Sequence, residues 1–363
     1  GQADRPSPLA FYQAKQIKPE NLAASTARTF LGIRIECAQC HDHPFDNWKQ
    51  SDFWSFAAFF AGMERQGRGG FLAAIREVAD RRELEIPGTD TSVGPVFLDG
   101  SRPLPTQTRG ARKLLADWMI TGKNPYFARA AVNRLWSQMF GIGLVDPPDD
   151  FTADNPPSHP KLLDLLASEF ASHKFDVRHI LRSIVASDAY QRTSRQTDPS
   201  QQRPRLFSRM AVKGLSPEQI FDSLAQATGY VPAAVDRTPT GPGVPDSVRS
   251  EFVELFGDDS SRPTQQRTTI LQALALMNGG FVSEATSLDR SRTLTAVVEF
   301  PALGTGDRVE ALYLAALGRR PGAKRLAGLV AYVDAGGVTK DPAAALADVF
   351  WALLNSSEFL LNH

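Results

Sequence analysis

The feature that most limits how this chain can fold is the position of its cysteines. The only two, Cys37 and Cys40, stand in the stretch FLGIRIECAQCHDHPFDNW, with His41 directly after them. A chain of 363 residues with both thiols in one pentapeptide has no disulfide framework to join distant segments. Its stability must come from a hydrophobic core. With 42% apolar and 22% charged residues, the composition supplies one, over a length that suits one large domain or two ordinary ones. Forty Lys and Arg against forty Asp and Glu give a net charge of zero, so no overall field exists to attract nucleic acid or an anionic membrane. No apolar run approaches the length of about 20 residues that a membrane span requires.

Periodicity then predicts a mainly α-helical chain. Residues 17–35 read as a short helix that delivers the cysteines, with Pro19 and Glu20 near its start. In SDFWSFAAFFAGM, helical spacing places Phe53, Phe56 and Phe60 on one face, either as core or as the wall of a cofactor site. RELEIPGTD and VGPVFLDG alternate and are broken by Gly and Pro, which predicts a short two-stranded excursion between residues 67 and 105. Beyond it, Asn124-Pro125 opens a helix that stops at Gly141, Asp176 caps another, and Ser216-Pro217-Glu218-Gln219 has the form of a capping box. Residues 231–265, rich in Pro, Gly and Ser, read as a long surface excursion, and the segments from TTILQALALMNGG to the C-terminus read as amphipathic helices. The expected organisation is a cysteine-bearing segment (1–66), a loop with a short β excursion (67–105) and a multi-helix globular body (106–363).

Three readings of C-x-x-C-H stay open. Covalent attachment of haem c needs two thiols that reach the two vinyl groups of one porphyrin edge and a following histidine that ligates iron, and Cys37, Cys40 and His41 meet that requirement. A bare metal could use the same groups with His43, Asp42 and Asp46, although no second C-x-x-C or H-x-x-x-H completes a zinc pattern. The third reading is a local disulfide or a plain thiol pair. If haem is present, iron either takes a sixth ligand, as an electron carrier does, or keeps an open position for oxygen or peroxide chemistry, and any sixth ligand comes from elsewhere because His43 is too close to His41 to reach the opposite face. His159, His173, His179, His363 and the five methionines are the candidates.

Four longer stretches carry a resemblance. ECAQCHDHPFDNWKQSDFWSFAAFFAGM resembles the end of the planctomycete cytochrome-C-associated domain of unknown function (PSCyt type). GARKLLADWMITGKNPYFARAAVNRLWSQMFGIGLVDPPDDF with NPPSHPKLLDLLASEF, and the terminal ALLNSSEFLLNH, resemble the PSD-type domain that follows it. The resemblance implies an exported bacterial protein, built with a leader and further upstream residues, in an extracytoplasmic redox context. It implies no particular reaction. The family's NPPSHP motif falls on Asn155 to Pro160 and its terminal NH on Asn362 and His363.

His159 is accordingly either a half-exposed turn residue before the helix that starts at Pro160, or a ligand or proton donor at a cofactor. Asp149, Asp150 and Asp154 lie near it in sequence and could orient its ring or bind a hard cation. Arg129 and Asn133 share a helix face that would suit a carboxylate, with a solvated surface as the plainer reading. The leading functional expectation is a c-type cytochrome-like electron-transfer protein with one haem on Cys37 and Cys40. His41 would be the proximal ligand, His159 the distal one, and an unidentified redox protein the partner. The alternative is a non-haem binding or scaffold module of an exported polymer-degrading system. For an enzyme, the sequence offers no nucleophile elbow, Gly-rich phosphate loop or H-E-x-x-H to name a reaction.

Overall fold

A computed structural model describes residues 9–66, 74–78, 80–104, 110–122, 124–230, 247–256, 276–277 and 279–362. The chain is mainly α-helical, with three short antiparallel ribbons among the described residues. It divides into two compact units, residues 1–210 and 211–363. No helix among the described residues is long and apolar enough to cross a membrane.

The first unit begins with α1 (Leu9–Ala14) and α2 (Pro19–Thr26), which continues as a π-helical turn over Ala27–Leu31. Gly32 stops that turn in the left-handed conformation at φ 73°. A side chain there would meet the Phe151 ring 2.7 Å from its Cβ, while the Phe151 N–H donates to the Gly32 carbonyl at 3.1 Å, so close backbone approach and positive φ both demand glycine. Next come α3 (Gln50–Ala57) and a 3-10 turn over Ala58–Phe60. Phe53, Trp54, Phe56, Phe59 and Phe60 are all buried, so this segment is apolar all round rather than on the one face its spacing suggested. Phe59 stacks on Phe97 at 4.8 Å and Phe97 on Trp118 at 4.9 Å, which carries the core on to α4 (Ala111–Met119).

Two ribbons occupy the stretch before α4. β1 (Met63–Gln66) pairs with β2 (Ala74–Glu77), Glu64 opposite Arg76, and β3 (Leu84–Glu85) pairs with β4 (Ser92–Val93). The second is the one the sequence pointed to. The first went unread because MERQ carries no apolar alternation.

A second core in the same unit is built by α5 (Phe127–Phe140), α6 (Pro160–Ser172) and α7 (Val177–Val185). Asn124 Oδ1 accepts from the N–H groups of Tyr126 and Phe127 at 2.9 and 2.8 Å, and Gly141 ends α5 at φ 78°. Asn133, expected on a solvated face of α5, is fully buried. Its side-chain amide donates to the Val145 carbonyl at 2.8 Å and accepts from the Val145 N–H at 2.9 Å. One planar amide therefore satisfies both polar groups of a buried backbone position, as a missing strand partner would. Trp136, one turn on, is also buried and stacks on Phe140 at 4.1 Å.

In the second unit the capping box at Ser216 and Gln219 opens α8 (Pro217–Thr228), which ends at left-handed Gly229. Part of the expected surface excursion is instead α9 (Ser247–Phe256), with Phe252 and Phe256 buried against the core of this unit. The remainder of 231–265 lies outside the described residues. So does most of TTILQALALMNGG, whose last residue opens α10 (Gly280–Ala285). Helices α11 (Arg292–Glu299), α12 (Thr305–Leu317), α13 (Ala323–Asp334) and α14 (Pro342–Leu354) complete the core. The terminal segment is not one helix. Ser356 caps a separate α15 (Ser357–Leu360), and β6 (Leu361–Asn362) then pairs with β5 (Lys213–Gly214).

Candidate functional site

Cys37 and Cys40 sit on a single 3-10 turn, Glu36–Gln39 with Cys40 as its C-cap. Residues three apart eclipse one another in that geometry, so both side chains project from one side of the turn. Ala38, between them, is fully buried, and Ile33 and Ile35 bury the approach. Both thiols are free and exposed. Alternation of buried alanine and exposed cysteine presents the pair to solvent on a fixed base.

The base is held by backbone carbonyls. Trp54 Nε1 donates to the Gln39 carbonyl at 3.0 Å, and Gln50 Nε2 donates to the carbonyls of Gln39 and Cys40 at 3.3 and 3.1 Å. Gln50 N–H in turn donates to Asp42 Oδ1 at 2.9 Å. Asp46 accepts from the Asn47 N–H and from Trp48 Nε1 at 2.7 and 3.1 Å, and the His43 N–H donates to the Trp48 carbonyl at 2.8 Å. Asp42 and Asp46, considered as metal ligands from their position, are thus committed to shaping the loop. Trp48, Gln50 and Trp54 are the supporting residues the motif did not disclose; their only sequence signal is proximity to it.

The two histidines of the loop are held in opposite tautomers. His41 Nδ1 lies 2.8 Å from the Asp42 carbonyl, which can only accept, so Nδ1 carries the proton and the neutral ring leaves Nε2 bare. His43 Nδ1 accepts from the Phe45 N–H at 3.2 Å, so its proton lies on Nε2. Only His41 offers a free lone pair at the far end of its ring. Phe45, 83% exposed, stands beside them as an apolar side chain in solvent. No three ligand atoms from Cys37, Cys40, His41, His43 and the neighbouring carboxylates converge within 4.8 Å among the described residues.

His159 occupies the N-cap position of α6 without a side-chain capping bond. Its Nδ1 meets Ser158 Oγ at 3.1 Å, and its ring lies tilted against Phe207 at 5.7 Å. The nearby acidic residues do not gather on it. Asp149 points to Arg28 Nε at 2.5 Å and to Arg34 at 2.6 Å, and Arg134 adds a bond to the Arg28 carbonyl at 2.7 Å. Burial pushes the Asp149 carboxyl up, but the hydrogen bonds and charges of the two guanidiniums outweigh it and hold the group below its ordinary range. Asp150 turns to Asn155, whose Nδ2 donates to its carbonyl at 3.0 Å. Arg129 lies 3.4 Å from Asp164. Of the remaining candidate ligands, His363 lies outside the described residues, Met63 and Met210 are buried in the cores, and His173 and His179 stand together at the α6–α7 turn.

Fold and site together define a mainly α-helical protein that displays a C-x-x-C-H turn on its surface. The PSD1 family profile, described as a protein of unknown function (DUF1553), matches residues 111–333, and the chain belongs to that family. A second profile, PSCyt2, also a protein of unknown function (DUF1549), matches residues 4–65 and so covers the cysteine turn. No curated protein and no solved structure matches the chain.

Proposed function

We propose that the Cys37–His41 turn is the attachment point of one haem c and that the protein passes single electrons to a protein partner outside the cytoplasm. The observation that carries this reading is the 3-10 turn, which sets two free thiols on one side while the Asp42 carbonyl leaves His41 Nε2 bare. The donor set fits the group. Cys37 and Cys40 would hold it through thioethers: each sulfur bonds one vinyl carbon and the thiol proton goes to the other, with no net oxidation. His41 would bind through Nε2, with the Asp42 carbonyl fixing its ring. Haem bound there supplies one-electron exchange. The work of the chain is positional, with Gln50 and Trp54 anchoring the turn and Phe45 offering apolar surface beside it. His159 would be the second iron ligand, through its Nε2, and that role is separable from attachment.

A test needs protein from a host with haem-ligation machinery. The intact mass should exceed that of the bare chain by one haem, and a reduced pyridine haemochrome should appear. His159→Ala should keep the added mass while turning a low-spin spectrum high-spin. An unmodified mass with the thiols free or bridged sinks the haem reading. The solid packing of Phe53, Trp54 and Phe56 beneath the turn favours the second reading in that event, a scaffold or binding module in which the C-x-x-C is structural.

A further inference from the structure

The turn between α6 and α7 brings together three ligand-type side chains that the haem reading does not use. α6 ends at Ser172 and His173 takes its C-cap position. Lys174 and Phe175 follow, both left-handed at φ 57° and 61°, which two successive non-glycine residues seldom adopt. The surroundings fix them there. The Phe175 N–H donates to the Phe170 carbonyl at 2.8 Å, and its ring packs edge-on against Phe170 at 5.3 Å and Phe127 at 5.4 Å. Asp176 then caps α7 by accepting from the Arg178 N–H at 2.8 Å, and Ile180 and Ile184 bury the apolar face of that helix. A reversal built this way returns His179, in the first turn of α7, to the end of α6.

The result is a Glu-His-His cluster. Glu169 Oε2 lies 3.5 Å from His173 Nδ1 and 3.8 Å from His179 Nε2, and the two imidazoles lie parallel with centroids 3.8 Å apart. One ligand atom from each residue falls within 4.8 Å of the others, the only such triad among the described residues. These carboxylate separations are longer than hydrogen bonds. They are close to what a shared ion imposes, since two ligand atoms each about 2.1 Å from one tetrahedral centre stand about 3.4 Å apart. Two imidazoles and one carboxylate are also the donor set that borderline first-row cations prefer, whereas calcium and magnesium would require oxygens.

We propose that Glu169, His173 and His179 bind one divalent transition-metal ion of the zinc class, which clips α6 to α7, with water completing the coordination. His179 binds through Nε2 and Glu169 through Oε2. His173 turns out of its stack on His179 so that the in-plane lone pairs of the two rings converge; its Nδ1 exchanges its present contacts, the Glu169 carbonyl at 2.9 Å and Ser172 Oγ at 3.2 Å, for the ion, and its ring proton moves to Nε2. All three side chains are between one third and one half exposed, so an ion enters without opening the core.

The experiment uses the full chain carrying Cys37→Ser and Cys40→Ser, so that thiols contribute nothing, titrated with zinc by calorimetry. One equivalent should bind. His173→Ala, His179→Ala and Glu169→Gln should each weaken it by about tenfold or more, with unchanged circular dichroism. In the unsubstituted triad, zinc should shift the ring resonances of two histidines and raise the thermal midpoint. No binding at millimolar zinc overturns the proposal, as does one equivalent that survives loss of either histidine. Histidine resonances that ignore zinc overturn it independently of any variant.

Discussion

Residues 36–48 and residues 50–60 are neighbours in sequence and opposites in the structure. The first carries two thiols, two histidines and an almost fully exposed phenylalanine on a loop shaped by Asp42 and Asp46. The second is buried from Phe53 to Phe60, and that buried run carries no thiol, imidazole or carboxylate. Reactive side chains stand where removing them leaves no cavity, and the side chains that stabilise the unit lie directly underneath. Buried Ala38 seats the turn on the core, and hydrogen bonds from Gln50 and Trp54 to main-chain carbonyls hold it there; none of these contacts depends on the identity of the cysteines.

That contrast makes stability and chemistry separable by mutation, and urea unfolding can read the first. Tryptophan fluorescence reports mostly on the first unit, which holds Trp48, Trp54, Trp118 and Trp136, against Trp351 in the second. The largest loss should follow Phe56→Ala, which removes a fully buried ring and costs about 3–5 kcal/mol. Asn133→Ala comes next, at about 2–4 kcal/mol, because it strands both polar groups of Val145.

Asp149→Asn should cost about 1–2 kcal/mol near neutrality, a modest figure because both guanidiniums are partly exposed. Its pH dependence has a definite sign. The folded carboxyl titrates below its ordinary value of 3.8, so its contribution is complete above that pH and is lost as pH falls through the folded value. The gap between wild type and Asp149→Asn should therefore close in acid; a gap that widens there would contradict the Arg28–Asp149–Arg34 arrangement. Smallest of all, the pair Cys37→Ser and Cys40→Ser should shift stability by less than about 0.5 kcal/mol in protein made without haem, while abolishing any covalent adduct. A large loss from the double serine variant would break the comparison, since it would make the thiols part of the fold.

What the sequence disclosed was local. Caps at Asp176 and Ser216 were legible because the groups they satisfy lie within three residues, and the helical class followed from many such signals. The motif at Cys37 was legible as a list of donors. Its tautomers were not, because they depend on which backbone group each ring meets. Asn133 was misread for the same reason: its partner, Val145, is twelve residues away and past the end of the helix. The helix Ser247–Phe256 did carry a signal, apolar residues at 248, 252 and 256, but the surrounding prolines and glycines obscured it. The Glu169, His173 and His179 cluster depends on two left-handed residues that no glycine announces.

The link between Asp149 and the arginines also bears on how the protein is made. Arg28 and Arg34 reach a carboxylate 121 and 115 residues later in the chain. The carboxylate that pins the cysteine segment lies more than a hundred residues further along the chain, and closing so long a loop comes late in folding. Until that loop closes, Cys37, Cys40 and His41 belong to a segment that Asp149 has not yet fastened. The pentapeptide is therefore open to solution before the unit that displays it has closed.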